Sequence, residues 1–458
     1  MKPRLVESQK TVRMISLGCP KNLVDSEVML GLLRKKGWIP STGEEADVVV
    51  INTCGFIREA QEESIETILS MISAKKEGRF QKIAVTGCLP QRFGKQLIRE
   101  LPEVDLFLGT GEFHRIADHL ESSRLGDRRS IHPVAQPEYL YDHRTPRLLS
   151  SPPGWGYIKI SEGCNNRCSY CTIPRIRGKL RSRTLTSIVR EAEKMVSLGI
   201  REINLIAQDT TAYGRDLDHG TSLPGLLRKL IRIDGLEWIR LLYTHPRHIT
   251  AEFIALMAEE KKICKYLDLP LQHIDDRILQ AMNRRISSRE IHDLLDRLRE
   301  KIPGIVLRTS LMVGFPGETD RRFRQLVDFV RKTQFERLGV FRYSREEGTR
   351  AAGLPGQISE PVKARRYQRI MALQKRISLR QQKGLIGRRL PVLVERPGRS
   401  SGVLWEGRTP GQAPEVDGLT FLTKGRCRPG EIVKAVITEA TAYDLYGWVV
   451  DSSQSPLD

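Results

Sequence analysis

Three short apolar runs early in the chain end alike. VRMISLGC, ADVVVINTC and QKIAVTGC close on Cys19, Cys54 and Cys88. Each is rich in Val and Ile and short enough to read as a buried strand. Amphipathic stretches from Asp25 to Lys36 and from Ile57 to Lys76 separate them and read as helices. Strands alternating with helices imply βαβ units and a parallel sheet. A second series follows. Its strands are expected at Tyr157 to Ile160, Glu202 to Ala207, Ile239 to Tyr243, Tyr266 to Leu269, Ile305 to Val313 and Arg337 to Tyr343, with helices such as Ser187 to Leu198 and Ser287 to Arg299 between them. Six β/α units are too few to close an eight-stranded barrel, so an open, partial barrel is expected, with chemistry at the strand C-termini. From Gly387 to Val450 the pattern changes again. PVLVER, SGVLWEGR, LTFLTK, EIVKAVITEA and YGWVV are short strands broken by Gly and Pro, as in a small antiparallel barrel of the OB-like kind.

The expected fold class is therefore α/β in three parts. An N-terminal open parallel-sheet domain spans 1–130. A linker spans 131–153, in a stretch marked by several prolines and ending in the SSPPG run from Ser150 to Gly154. A central partial (β/α)6 barrel spans 154–383, and the small antiparallel barrel 384–452. Between Val362 and Arg389 there are ten Lys or Arg and no Asp or Glu, while Tyr367, Ile370, Leu373 and Ile377 recur at helical spacing. One face of that helix is expected to dock. Its basic face either touches phosphate or is simply solvated.

The cysteines add chemistry to this frame. Cys19, Cys54 and Cys88 lie 35 and 34 residues apart, about one βαβ step each time. Loops that follow parallel strands gather at the carboxyl edge of the sheet, so the three thiols are expected to meet there. They read either as ligands of a cluster or as unrelated buried thiols. A tighter set lies in EGCNNRCSYCTIPRIRG, where Cys164, Cys168 and Cys171 have C-x3-C-x2-C spacing. Thiolates favour soft metals and iron–sulfur clusters. Three of them on a four-iron cubane leave one iron open to a small molecule. A zinc site would want a fourth ligand, and the nearest candidates after Cys171 are His219 and His245. Cys264 and Cys427 stand outside both sets and read as structural thiols.

Eight cysteines in 458 residues, without small-domain spacing, point to a reducing compartment. No run of eighteen apolar residues occurs, and MKPRLVESQK has no signal-like apolar core. A cytoplasmic protein without a membrane partner is expected. The net charge of +20 and a pI near 9.7 suit a polyanionic partner such as RNA or a ribonucleoprotein.

The C-x3-C-x2-C segment resembles that of radical S-adenosylmethionine (SAM) enzymes, and the three regions in this order resemble the methylthiotransferase family among them. The resemblance covers nearly the whole chain. It implies two 4Fe–4S clusters, one on Cys19, Cys54 and Cys88 and one on Cys164, Cys168 and Cys171, with SAM as cofactor and a C-terminal TRAM barrel. SLGCPKNLVDSE (Ser16 to Glu27), LDLPLQH (Leu267 to His273), LIAQDTTAYG (Leu205 to Gly214) and FRYSREEGTRA (Phe341 to Ala351) are similar to the branch that methylthiolates the β-carbon of an aspartate in ribosomal protein S twelve. The implied partners are that protein on or near the small ribosomal subunit and an electron donor, with contact to RNA as a further expectation. Alternatives are a tRNA adenosine methylthiotransferase and a non-catalytic iron–sulfur RNA-binding protein. No catalytic residue is assigned beyond the cluster ligands. The turn VGFPGE, from Val313 to Glu318, resembles the adenine-contacting turn of radical SAM cores. Tyr170 either packs near the SAM adenine or fills the core, and Gln208, which follows a strand, is expected to meet the SAM amino end. Arg308 is placed either on the SAM carboxylate or in a structural ion pair. Gln272 and His273 either face the substrate or serve the structure.

Overall fold

The computed structural model describes residues 10–122, 129–130, 137–217 and 220–450. The chain forms two compact units. One comprises Met1–Ser150, Ser161–Arg167 and Cys171–Arg183, and the other Ser151–Ile160, Cys168–Tyr170 and Thr184–Asp458.

The core of the first unit is a six-stranded parallel sheet. Its order is Ile39–Ser41, Thr11–Ser16, Ala46–Thr53, Phe80–Gly87, Leu106–Leu108 and Arg129–Ser130. Val48 to Ile51 and Ile83 to Val85 are almost wholly buried, which is why these strands read as unbroken apolar runs. The direction of winding reverses between Thr11–Ser16 and Ala46–Thr53. Such a switch point opens a crevice at the carboxyl edge, and Cys19 and Cys54 follow the two strands that flank it. Two helices start on the cysteines themselves. Cys19 caps Pro20–Lys35, with Pro at its first turn, and Cys88 opens Cys88–Glu100. The stretch expected to be a linker is anchored here, since Glu27 takes Arg147 at 2.6 Å and the Ser150 amide at 2.7 Å.

The second unit holds a six-stranded parallel sheet in strict chain order: Trp155–Lys159, Glu202–Ile206, Trp238–Leu241, Ile263–Asp268, Val306–Val313 and Arg337–Arg342. Its end strands do not pair, which leaves the expected partial barrel. The C-terminal strands close into a separate five-stranded barrel, Arg389–Pro397, Trp405–Arg408, Thr420–Leu422, Leu445–Val449 and Ile432–Ala440. All its pairings are antiparallel except Thr420–Leu422 with Leu445–Val449, which is parallel. The loop after Trp405–Arg408 meets polar side chains of the larger sheet. Tyr157 donates to Glu415 at 2.9 Å, Tyr266 to Asp417 at 2.8 Å, and Arg408 to Glu202 at 2.7 Å.

One expectation is corrected. On helix Glu360–Lys383, Tyr367 is exposed rather than docked. The buried face runs through Lys363, Arg366, Ile370, Gln374 and Ile377, and its polar members are held by hydrogen bonds, so apolar spacing alone misplaces it. Among the described residues, no helix is long and apolar enough to cross a membrane.

Candidate active site

Cys19, Cys54 and Cys88 come together at the carboxyl edge of the first sheet. Two glycines permit this approach. Gly18 and Gly87 have φ of +90° and +100°, and a Cβ on them would fall 2.6 Å from the Cys54 Cβ and 2.4 Å from the Asn52 Oδ1. Burial pushes the Cys54 thiol up to about 12, and the neighbouring Cys88 and Cys19 sulfurs add to the effect. Burial also raises Cys88. The thiols do not crowd around a single ion. Among the described residues, only Asp209, His245 and His248 form a trio whose ligand atoms all lie within 4.8 Å of one another. A wider set of three soft donors suits a polynuclear cluster better than zinc. The positive end of the helix that begins at Cys88 works against the rise in that thiol's pKa.

A buried arginine completes this site. Arg177 Nη2 donates to the Cys88 Sγ at 3.6 Å and to the Asn22 Oδ1 at 2.5 Å, while Nη1 donates to Asp25 at 2.7 Å and Glu162 at 3.3 Å. Burial works against its charge, but Cys88, Asp25 and Glu162 outweigh that and hold the pKa well above the ordinary value.

Within the same unit, the Cys164 Sγ accepts the Asn166 amide at 3.4 Å and the Cys171 Sγ accepts the Ile173 amide at 3.5 Å. Amide donors of this kind stabilise thiolate. In the second unit, Cys168 receives Arg284 Nη1 at 3.6 Å. Its neighbour Ser169 is pinned by its amide to Met282 and by its carbonyl from Ala351, at 3.0 and 2.9 Å.

Tyr170 packs against Ile278, Met282, Phe315, Tyr343 and Ala351. It thus shares one apolar cluster with Phe315 of the VGFPGE turn. Val313 ends its strand fully buried. The turn is held by Glu318, whose carboxylate accepts the Gly314 amide at 2.5 Å, Arg366 at 2.7 Å and His273 at 3.3 Å. His273 is therefore a hydrogen-bonded structural histidine. Gln272 sits beside it with φ of +74°, pairing its backbone with Ser310 and Met312. Gln208 follows the strand Glu202–Ile206 and is half-buried. Arg308 is engaged in ion pairs, to Asp268 at 2.7 Å and Asp417 at 3.8 Å. A SAM carboxylate at that position would have to compete with Asp268. Cys264 and Cys427 are buried, and burial pushes each thiol up to about 11.

Asn22, Arg177, Arg284 and Arg366 escaped the sequence reading. Each is an ordinary polar residue in its local window, and only long-range contacts distinguish it.

Three family models match the chain: the uncharacterized protein family UPF0004 over residues 11–109, the radical SAM superfamily over 158–330 and the TRAM domain over 386–450. Full-length relatives agree. The ribosomal protein uS12 methylthiotransferase RimO of Syntrophotalea carbinolica is 52% identical over 98% of this chain and 98% of its own length. Those of Geobacter sulfurreducens and Myxococcus xanthus are 52% and 48% identical over 97% and 96% of this chain, and over 99% and 92% of their own lengths. Among solved structures, the radical SAM methyltransferase TsrM from Kitasatospora setae, with cobalamin and a 4Fe–4S cluster bound, has a TM-score of 0.54 at 18% identity, covering 73% of this chain and 75% of that one. The cobalamin-dependent radical SAM enzyme OxsB has a TM-score of 0.51 at 14% identity, over 80% and 56%. These two likenesses speak for the fold. With the thiol sets, the buried arginines and near full-length identity of about half, this chain belongs to the RimO family of radical SAM methylthiotransferases.

Proposed function

We propose that this protein methylthiolates the β-carbon of an aspartate in ribosomal protein uS12, using SAM and two 4Fe–4S clusters. The observation that carries the reading is the set of Cys19, Cys54 and Cys88 at the switch-point edge, with Arg177 donating to Cys88. A radical SAM enzyme that only cleaves SAM has no need of a second thiol set. The relatives' names supply the substrate.

The target C–H bond is not acidic enough for a side-chain base at neutral pH, so the reaction needs radical chemistry from a cofactor. When bound, a cluster on Cys164, Cys168 and Cys171 supplies the electron that cleaves SAM, and one on Cys19, Cys54 and Cys88 carries the sulfur. The chain's own residues hold these groups in place. Arg284 and Arg177 each donate to one ligand sulfur. Tyr170 and Phe315 offer an apolar wall to the adenine. Glu318 keeps the VGFPGE turn in shape. Gln208, at a strand C-terminus, is assigned to the SAM amino end. In this reading the protein works in the cytoplasm on or near the small ribosomal subunit, takes electrons from a separate donor, and uses exposed Arg365, Arg369, Arg376 and Arg380 of helix Glu360–Lys383 toward ribosomal RNA. We assign the domains to 1–130, 154–383 and 384–452, with 131–153 as linker.

Two measurements test this. Anaerobically reconstituted protein should hold about eight irons per chain, and each triple Cys→Ala variant about four. In a deletion strain, mass spectrometry should find uS12 without its methylthio group and tRNA unchanged. Loss in tRNA alone would assign the protein to the tRNA branch.

A further inference from the structure

The second unit carries a polar cluster, Asp209, His245 and His248, to which the chemistry above assigns no role, and Arg284, which donates to Cys168, borders it. Asp209 follows the strand Glu202–Ile206, and both histidines follow Trp238–Leu241. All three therefore leave the sheet at the carboxyl edge, where a β/α barrel reacts. Arg284 ties them to the cluster loop, for it donates to Cys168 and its charge acts on both His245 and Asp209.

The hydrogen bonds already made decide what this cluster can bind. Asp209 Oδ1 accepts the Thr211 hydroxyl at 2.6 Å and the Ala212 amide at 3.1 Å, and Oδ2 faces His248 Nδ1 at 2.9 Å. Both oxygens are already hydrogen-bonded. His245 Nδ1 accepts the Arg247 amide at 3.3 Å, so the proton of the neutral ring lies on Nε2. Burial, and then the Arg284 charge, push the His245 pKa down to about 2, which keeps the ring neutral. Its outward nitrogen is thus a donor and not a metal ligand. Arg284 is buried, donates to the Pro270 carbonyl and to Cys168, and has an Nε–H without a partner. Among the described residues, no carboxylate hydrogen-bonds its guanidinium. His248 is held by Asp209 through Nδ1, and its ring lies 5.0 Å from that of His245. A buried cation with an unfilled donor, beside two imidazoles, is the environment an anion needs to leave water.

We infer that Arg284, His245 and His248 form a subsite for a carboxylate, and that its occupant is the side chain of the target aspartate. The identity of the occupant rests on the proposed reaction. The aspartate β-carbon is bonded directly to the carboxylate carbon. Gripping the carboxylate therefore fixes the direction of the C–H bond that reacts, and an asparagine in its place loses the charge-assisted contacts.

The test uses full-length, anaerobically reconstituted protein with two uS12 peptides, one carrying the target aspartate and one with asparagine in its place. Peptide binding is read by fluorescence anisotropy and SAM binding by equilibrium dialysis. Wild type should prefer the aspartate peptide by about tenfold or more. The H245Q/H248Q double variant should bind both peptides alike, with SAM affinity and iron content unchanged. D209N, which removes the charge opposite His248 and turns one acceptor into a donor, should weaken the aspartate peptide alone and guards against misfolding of the double variant. Discrimination that survives in both variants overturns the subsite. A fall in SAM affinity with discrimination retained assigns the donors to the SAM carboxylate and overturns it too, as does stoichiometric zinc bound at the histidines. A wild-type protein that binds neither peptide overturns the reaction itself and, with it, the occupant.

Discussion

Arg177 reaches the Cys88 sulfur, at 3.6 Å, from a short helix that begins two residues after Cys171. The next residue, Gly178, accepts the Cys164 amide at 3.1 Å. One dipeptide of the first unit thus touches both cysteine sets, through a side chain on one side and a backbone carbonyl on the other.

Removing that guanidinium leaves Asp25 and Glu162 buried without their cation. Arg177→Gln should therefore destabilise the fold by about 3–5 kcal/mol. It should also lower iron content toward about four per chain while SAM cleavage persists. Arg177→Lys keeps the charge but loses the fork that serves four partners, and should fall between. Iron analysis with thermal unfolding checks this. An R177Q protein with full iron and unchanged EPR of its second cluster contradicts it.

Glu318 is fully buried and holds the VGFPGE turn through Gly314, His273 and Arg366. Glu318→Gln loses the charge opposite Arg366 and turns one acceptor into a donor. SAM affinity should drop by about tenfold, with iron content retained. Equilibrium dialysis against SAM separates this from a general loss of fold.

The C-terminal barrel is fastened to the larger sheet by Arg408, which pairs with Glu202 at 2.7 Å and with Glu395. Arg408→Ala strands Glu395 in a dry site and leaves Glu202 with Arg240 alone, and should cost about 3–5 kcal/mol. The double variant R408M/E395L should recover part of that loss, because apolar groups replace that buried pair while Glu202 keeps Arg240. Urea unfolding of the two variants gives the comparison.

Stability should fall as pH drops below 6.5. Unfolded, His245 binds a proton below its ordinary 6.5, whereas folded it stays neutral down to about 2. Unfolding takes up that proton between the two values, at up to about 1.4 kcal/mol per pH unit. Asp209, held at about 2 against an ordinary 3.8 by the His248 hydrogen bond and the neighbouring charge, acts in the same direction below 3.8. The H245Q variant should flatten the slope between pH 6.5 and 3.8. A variant that follows the wild-type curve there refutes the assignment.

In the metal-free chain, Cys54 should resist alkylation. At about pH 8, a thiol whose pKa is pushed up to about 12 is thiolate in on the order of one molecule in ten thousand. Partly exposed Cys19 should label ahead of Cys54 with iodoacetamide, and mass spectrometry of timed samples gives the order.

The strands were legible because burial writes itself into local composition. Ala46 to Cys54 reads as a buried run, and the strand Ala46–Thr53 stops one residue before its cysteine. The six strands of the partial barrel fall within a few residues of their expected places. Helix Glu360–Lys383 shows where this reasoning fails. Its inward face carries Lys363, Arg366 and Gln374, which are buried because Tyr343, Glu318 and Phe335 supply their partners, and a window of apolar spacing cannot see those.

Cysteine positions, strand ends and three-part architecture are short-range properties, set by which residues adjoin which along the chain. The partners of the charged groups are not. Arg177 meets Cys88 across 89 positions, Arg284 meets Cys168 across 116, and Arg366 meets Glu318 across 48. With 75 Lys and Arg in the chain, nothing local distinguishes these three from their solvated neighbours. Folding selects them, because a buried thiolate or carboxylate is tolerated only where a distant cation arrives to pair with it.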